Sequence, residues 1–290
     1  MKMKRMMAAV LAGVMAFSLA ACGSSTSTST ATSEASSTAA DGDSAVAKIK
    51  AAGKVTMVTN AEFPPFEYKD GNEVLGIDAD IAKKIADKLG VELEITDIAF
   101  DSCIPSLKAG KADFCAAGMT ATEDRKKNVD FSDSYFNAGQ AIIVPKGSDI
   151  SKPDDLNDKT IGVQTGTTGD TYVTNEDGSG SIKAKEVKRY QKGMDAVSDL
   201  IAGRIDAVVI DNYPAEKFVS QNSDKIEKLD EALTEEEYAI ACPKGSDLVE
   251  VINEVIKDLK DSGELNEIID KHTEATAEAD STAEASSTAA

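Results

Sequence analysis

The chain has 290 residues, 51 acidic against 31 Lys and Arg, and a formal net charge of −20. A polyanion is repelled by nucleic acid and by anionic lipid, so both are excluded as expected partners. One histidine and four scattered cysteines exclude an ordinary zinc site, and no metal or other cofactor is expected.

The first 22 residues carry Lys2, Lys4 and Arg5, then an apolar run from Met6 to Leu19 interrupted mainly by Gly13 and Ser18. The run is short for a bilayer span and reads as a secretory signal. It ends in Leu19-Ala20-Ala21-Cys22-Gly23, which resembles the lipobox of bacterial lipoproteins. That resemblance implies cleavage before Cys22 and its lipidation; the plainer alternative is an ordinary cleavage site with an incidental cysteine. Residues 23–44 are almost wholly Ser, Thr, Ala and acid, too polar to offset their ordering entropy, and read as a disordered tether. As a flexible coil the tether would reach roughly 25 Å. Residues 273–290 have the same character and read as a disordered tail.

The remaining stretch suits one large domain or two lobes of about 100 residues each. Val55 to Thr59 is a β-rich run ending at Asn60, and Phe63-Pro64-Pro65-Phe66 predicts an extended, rigid loop. Lys69-Asp70-Gly71-Asn72 is a hairpin turn. Ile77, Ile81, Ile85 and Leu89 recur every four residues along a helix closed by Gly90. Val91, Leu93 and Ile95 alternate with polar residues, the pattern of a half-buried strand. Asp101 or Ser102 is expected to cap a short helix that stops at Gly110.

Phe114-Cys115-Ala116-Ala117 then reads as a buried strand that spills into Gly118-Met119-Thr120-Ala121-Thr122-Glu123-Asp124-Arg125. The approach to it, Leu107-Lys108-Ala109-Gly110-Lys111-Ala112-Asp113, returns later as Leu200-Ile201-Ala202-Gly203-Arg204-Ile205-Asp206, followed by Ala207 to Ile210 and Asp211. Between them, Gln140 to Val144 is a β run and Thr160 to Gln164 a strand. Thr165-Gly166-Thr167-Thr168-Gly169 leads to a helix reaching Tyr172. Glu186 to Tyr190 is another strand and Met194 to Ile201 a helix. Tyr238 to Cys242 is one more β run, and its Pro-Lys-Gly-Ser ending copies that of the run at Gln140. Leu248, Val251, Ile252, Val255, Ile256 and Leu259 stripe one helix, and Leu265, Ile268 and Ile269 the last.

Strands alternating with helix-length crossovers predict α/β architecture with parallel sheets. Two restarts of one unit suggest two lobes joined by two crossings, with 45–143 plus 239–272 as the first and 144–238 as the second. Ligands of open α/β sheets bind beyond the carboxyl ends of the strands. Arg125 at one such end and Asp211 at another could hold a molecule that is an anion at one end and a cation at the other. A free α-amino acid fits.

This order of motifs resembles the family 3 extracellular solute-binding proteins, the polar amino-acid receptors of ABC importers, over residues 50 to 272. The resemblance implies the type II periplasmic-binding-protein fold, two α/β lobes joined by a two-strand hinge. It also implies that Phe63 and Phe100 sandwich the ligand side chain, and that Gly118, Thr120 and Arg125 take the α-carboxylate. Gly166, Thr167 and Thr168 would add N–H groups from the second lobe, and Asp211 would take the α-ammonium. Physical chemistry agrees with these roles, since a guanidinium meets a carboxylate through two parallel bonds, as a lysine cannot. Four or five charge-assisted contacts of about 1.5–3 kcal/mol each could support a micromolar complex, near −8 kcal/mol.

Each residue has a plainer reading. Arg125 precedes Lys126 and Lys127, and a basic cluster at a helix start is usually a solvated face. Phe63 and Phe100 are core aromatics by default, and Gly166-Thr167-Thr168 can be a turn with its N-cap. Glu123 reads as a capping acid and Asp101 as a helix cap. Cys103, Cys115 and Cys242 read as buried thiols, with a Cys103–Cys115 disulfide open. Specificity is assigned to Asn60, Glu62, Phe63, Phe100 and Met119, with a polar or charged ligand side chain expected.

The reading is a monomeric, lipid-tethered receptor on the outer face of the bacterial cytoplasmic membrane. It captures a free amino acid and presents it to an ABC permease, with no catalysis. The alternatives are an exported cyclohexadienyl-type dehydratase on the same scaffold, or a surface sensor module.

Overall fold

A computed structural model describes residues 44–274 apart from 177 and 179. The expected signal with Cys22, nearly all of the tether and most of the expected tail lie outside the described residues. Ser44 caps a helix, Ala45–Ala52, that the sequence reading did not anticipate. At the other end a helix covers 264–274, so Thr273 and Glu274 are helical rather than part of a tail.

The first lobe is built on a five-stranded sheet in the order Glu92–Asp97, Lys54–Thr59, Phe114–Cys115, Ala241–Pro243, Val129–Phe131. The first three strands are parallel and the last two run antiparallel to their neighbours. The helix Ile77–Leu89 buries Ile77, Ile81, Ile85 and Leu89 against this sheet and against the helix Leu248–Ser262. Each such aliphatic side chain contributes about 1.5–3 kcal/mol of burial. Gly90 ends the helix in the left-handed conformation expected of it, its N–H returning to Ala86 and Asp87.

The second lobe repeats the plan with Glu186–Tyr190, Thr160–Gln164, Ala207–Asp211, Gln140–Pro145 and Ile226–Lys228. Its first three strands are parallel, and Gln140–Pro145 runs antiparallel to Ala207–Asp211, with Gln140 opposite Asp211. That strand therefore belongs to the second lobe, earlier than the 143/144 boundary read from the sequence. Two short antiparallel strands, Phe136–Ala138 and Glu236–Tyr238, join the lobes. The expected β run Tyr238 to Cys242 is accordingly two strands in two sheets, the first in the hinge and the second, Ala241–Pro243, in the first lobe. The apolar pattern runs through both because both are buried.

The Pro-Pro segment is not an extended loop. Phe66 N–H bonds Phe63 O at 2.9 Å, closing a turn whose Pro64–Pro65 peptide is cis. Glu62–Phe63 then pairs antiparallel with Glu67–Asp70, and the turn brings Glu67 back beside Phe63. The helix at Ile77 docks on this turn through Ile77 N to Pro65 O and Asp78 N to Phe66 O. Only glycine permits that approach: Gly76 has φ 127°, and a Cβ there would stand 2.1 Å from Phe66 O.

Among the described residues no helix is long and apolar enough to cross a membrane. Cys103, Cys115 and Cys242 are buried free thiols, so the disulfide left open by the sequence does not form.

Candidate functional site

The carboxyl ends of both sets of parallel strands meet at a small, nearly closed cavity between the lobes. Its walls include nine of the twelve residues that the sequence placed at the ligand, Asn60, Phe63, Phe100, Gly118, Thr120, Arg125, Thr167, Thr168 and Asp211, but not Gly166, Glu62 or Met119. The sequence reading missed Glu67, Ala117 and Gln164, which also line it.

Arg125 sits in a one-turn helix, Glu123–Lys126, capped by Thr122, whose hydroxyl accepts Arg125 N–H at 3.2 Å. Thr122, not Glu123, is thus the cap; Glu123 is exposed and pairs with Lys126. Lys126 and Lys127 form the solvated face, while Arg125 turns inward with its Cζ 5.3 Å from the Phe100 ring centroid. Nη1 donates to Thr120 O at 2.8 Å, and Nη2 donates to Gly166 O of the second lobe at 2.9 Å. Burial lowers the pKa of its guanidinium, although the Glu236 and Asp211 charges oppose this. An anion placed beside it would be stabilised strongly.

Gly118 has φ 51°, and a Cβ there would lie 2.8 Å from the Phe63 ring, so backbone and aromatic are in contact. The Gly118 N–H donates to Asp78 Oδ2 at 2.8 Å, and Tyr135 OH donates to Asp78 Oδ1 at 2.6 Å. Asp78 is fully buried, and burial raises its pKa to about 6 despite these bonds. Next to it lies Glu67, 1% exposed, whose carboxyl shares a hydrogen bond with that of Asp78. Burial, and then the Asp78 charge, push Glu67 well above the ordinary glutamate range.

Asp211 ends its strand 5% exposed and accepts a hydrogen bond from Tyr238 OH. Burial and the Glu236 charge raise its pKa to about 7. Tyr238 is held by Phe66 and Phe136, with ring centroids 5.0 and 5.9 Å away. From the hinge strand, Glu236 Oε2 accepts from Thr120 Oγ1 of the first lobe at 2.5 Å and Thr168 Oγ1 of the second at 2.8 Å.

Other expectations change. Asn60 Nδ2 donates to Ile98 O, and its Oδ1 accepts from Gln164 Nε2 at 2.9 Å, so its amide bridges the lobes. Thr167 is an N-cap: its hydroxyl accepts from Asp170 N and donates to Gln164 O. Glu62 does not line the cavity; it forms an ion pair with Lys192 across the lobes. Met119 is a core residue, 1% exposed, packed with Cys103 and Cys115. Asp101 makes no capping bond, because a 3-10 turn, Phe100–Ser102, leads directly into the helix Cys103–Lys108. His272 bonds Tyr68 and Asp80 and does not line the cavity. No cluster of metal-ligating side chains exists among the described residues.

Residues 55–275 match the bacterial extracellular solute-binding proteins, family 3. The chain is 34% identical over 268 residues to the arginine-binding extracellular protein ArtP of Bacillus subtilis (strain 168), covering 92% of this chain and 96% of that protein. Among solved structures, holo ArgBP from T. maritima is 47% identical with a TM-score of 0.68, over 73% of this chain and 93% of that one. AbpA from Streptococcus pneumoniae, bound to L-arginine, is 33% identical with a TM-score of 0.72, over 79% of this chain and 98% of that one. A match across nearly the whole described region, with these relatives, makes the chain a member of the extracellular solute-binding proteins, family 3.

Proposed function

We propose that this protein is the receptor of an ABC importer for a basic L-amino acid, with arginine as the first candidate. The observation that carries this is a charge count at the cavity wall. Its ionisable lining residues are one cation, Arg125, and two buried carboxyls, Asp211 and Glu67. The α-carboxylate of an amino acid pairs with Arg125 and its α-ammonium with Asp211, which leaves Glu67 over. Its polar partner is another buried acid, Asp78, so a guanidinium or ammonium on the ligand side chain would supply the donors that two neighbouring carboxylates lack. Phe63 and Phe100 give the aliphatic stem an apolar, cation-tolerant surface. Outside the cavity, a groove bordered by Asp101, Glu123, Asp124, Glu176, Glu235 and Glu236, against Arg125 and Lys127, carries an excess of negative charge that favours an approaching cation.

Contacts that cross between the lobes, among them Arg125 to Gly166, Asn60 to Gln164 and Lys192 to Glu62, are those a hinge motion would break on opening. Ligand held from both sides favours the shut state by its differential affinity. Cys22 carries the lipid that keeps the monomeric receptor beside its permease, and no chemical step follows binding.

The test is titration calorimetry of the full exported chain against arginine, lysine, ornithine, histidine, glutamine and cystine. Saturable binding of a basic amino acid, with a weaker response to glutamine, supports the reading. Equal or stronger binding of the neutral ligands, or release of product from prephenate or arogenate, overturns it.

A further inference from the structure

We infer that Asp170, held by Arg189, is a positioning residue that sets the Gly166 carbonyl against Arg125 and so fixes the plane in which that guanidinium meets the ligand carboxylate. This rests on the amino-acid-receptor reading above and extends it to two residues that do not line the cavity.

At Gly166 the second lobe touches the first. Its carbonyl accepts Arg125 Nη2 at 2.9 Å, and a Cβ built on it would stand 3.2 Å from Asp101 Cβ. Gly166 has φ 79°, and a glycine has more backbone freedom than any other residue. Its carbonyl can meet a partner from the other lobe at one place only if the peptides on either side are pinned. The Gly166 N–H donates to Asp170 Oδ2 at 3.1 Å, and the Thr167 N–H donates to Gln164 O at 3.4 Å. The first bond is the shorter and ends on a carboxylate, so it is the stronger of the two. The family resemblance gives the Gly166 N–H to the ligand. Here that N–H is spent on Asp170, and Gly166 offers the first lobe its carbonyl.

Asp170 lies in the first turn of the helix Thr168–Thr174, and its own N–H donates to the hydroxyl of the N-cap Thr167 at 3.2 Å. An acid at that position ordinarily returns its carboxylate to the N–H of the cap residue. Asp170 reaches one residue further back, to Gly166. Its direction is set by Arg189 on the edge strand Glu186–Tyr190, whose Nε donates to both carboxylate oxygens at 2.9 Å and whose Nη2 donates to Glu176 Oε1 at 2.6 Å. Asp170 is buried and the Arg189 side chain is 41% exposed, so a surface cation neutralises a buried anion. The contacts run in one line from Arg189 through Asp170 and Gly166 to Arg125 at the cavity wall. Arg125 divides its other donors between the lobes, Nη1 to Thr120 O and Nη2 to Gly166 O. Without a fixed Gly166 carbonyl the guanidinium keeps its bond to Thr120 and is free to turn about it.

The experiment compares L-arginine with agmatine, the same molecule without the carboxylate, by titration calorimetry, with agmatine read in competition against arginine. The proteins are wild type, Asp170→Ala, Asp170→Asn and Arg189→Met, and the readout is the ratio of the two affinities, which reports the carboxylate contact alone. Asp170→Ala is expected to cut the preference for arginine by about tenfold, the size of one hydrogen bond to a charged group. Asp170→Asn, whose amide oxygen can still accept the Gly166 N–H, is expected to restore part of it. Arg189→Met keeps the apolar stem, leaves the Gly166 bond and is expected to cost about threefold. In an Arg125→Ala background, adding Asp170→Ala is expected to leave the ratio where it stands, because the group being positioned is gone. Should Asp170→Ala fail to fold, Asp170→Asn and Arg189→Met carry the comparison. A merely structural role would weaken both ligands alike and leave the ratio unchanged, which overturns the inference. A further drop in the ratio in the Arg125→Ala background overturns it too, since Asp170 would then act on the carboxylate by another route. Failure of wild type to bind any basic amino acid would instead strike the receptor reading, and this inference with it.

Discussion

The Tyr238 hydroxyl donates to Asp211 Oδ1, joining the hinge strand to the end of a second-lobe strand inside the cavity wall. This bond lowers the Asp211 pKa, while burial and the Glu236 charge raise it to about 7 overall. Tyr238→Phe keeps the ring against Phe66 and Phe136 and removes only the donor. Asp211 then titrates higher, and its carboxylate is scarcer at neutral pH. Amino-acid affinity at pH 7 is expected to fall about tenfold or more, and the pH at which affinity is half-maximal to rise. Calorimetry between pH 6 and 9 reads both changes.

Arg125→Lys tests the fork. The guanidinium spends one nitrogen on Thr120 O and another on Gly166 O, in opposite lobes, and still faces the cavity. An ammonium is a point donor and cannot hold both carbonyls and a ligand carboxylate in the same plane. Affinity is expected to fall about 10- to 100-fold, with ligand-induced thermal stabilisation reduced to match.

Glu67 gives a proton signature. Burial first, and the Asp78 charge second, raise its pKa well above the glutamate norm. A cationic side chain bound beside it favours the ionised form, so binding releases a proton. Affinity for arginine should therefore rise with pH through the titration of Glu67. Calorimetry in buffers of different ionisation enthalpy measures the released proton. Glu67→Gln is expected to lose that release and to weaken arginine far more than glutamine.

Without added amino acid, the same acids make stability depend on pH. Asp78 at about 6 and Asp211 at about 7 both stand above their ordinary value of 3.8. The folded state therefore binds more protons than the unfolded one between those values. Their contribution is complete below about pH 4 and is lost as pH rises through 6 and 7. Scanning calorimetry should show this loss, and Asp211→Asn should flatten its upper part. A melting profile of Asp211→Asn parallel to wild type from pH 5 to 8 would contradict it.

Gly118→Ala places a methyl group where the Phe63 ring already stands, at a backbone φ of 51°. The left-handed conformation and the contact together are expected to cost about 1–3 kcal/mol of stability. Displacement of Phe63 should also weaken ligand binding. Paired melting and titration experiments separate the two effects.

Much of this architecture was legible because it is written in local patterns. The four-residue spacing of Ile77, Ile81, Ile85 and Leu89, with Gly90 after it, specifies one helix and its end. The repeated Leu-x-Ala-Gly-x-x-Asp approach to two apolar strands marks equivalent strand ends, and the fold brings Arg125 and Asp211 to one cavity. Glu67 was hidden because the Pro-Pro segment reads as an extended loop, whereas the turn closed by Phe66 N–H reverses the chain and returns Glu67 beside Phe63. Asp78 was hidden because an acid in the first turn of a helix usually faces solvent; only packing against Gly118 and Tyr135 buries it.

The sequence by itself determined many of the helices and strands, though not the helices Ala45–Ala52 and Asn212–Ser220, and which strand ends carry a cation and an anion, since those depend on side-chain period and turn chemistry within short windows. Only the tertiary structure decided that Gln140–Pro145 joins the second lobe, that Tyr238 and Ala241 enter different sheets, and that Glu62 pairs with Lys192 away from the cavity. It alone brought Glu236 between Thr120 and Thr168. Those outcomes rest on contacts between residues about 70 to 130 positions apart, where burial and charge are set by the partner that arrives and not by the neighbours in the chain.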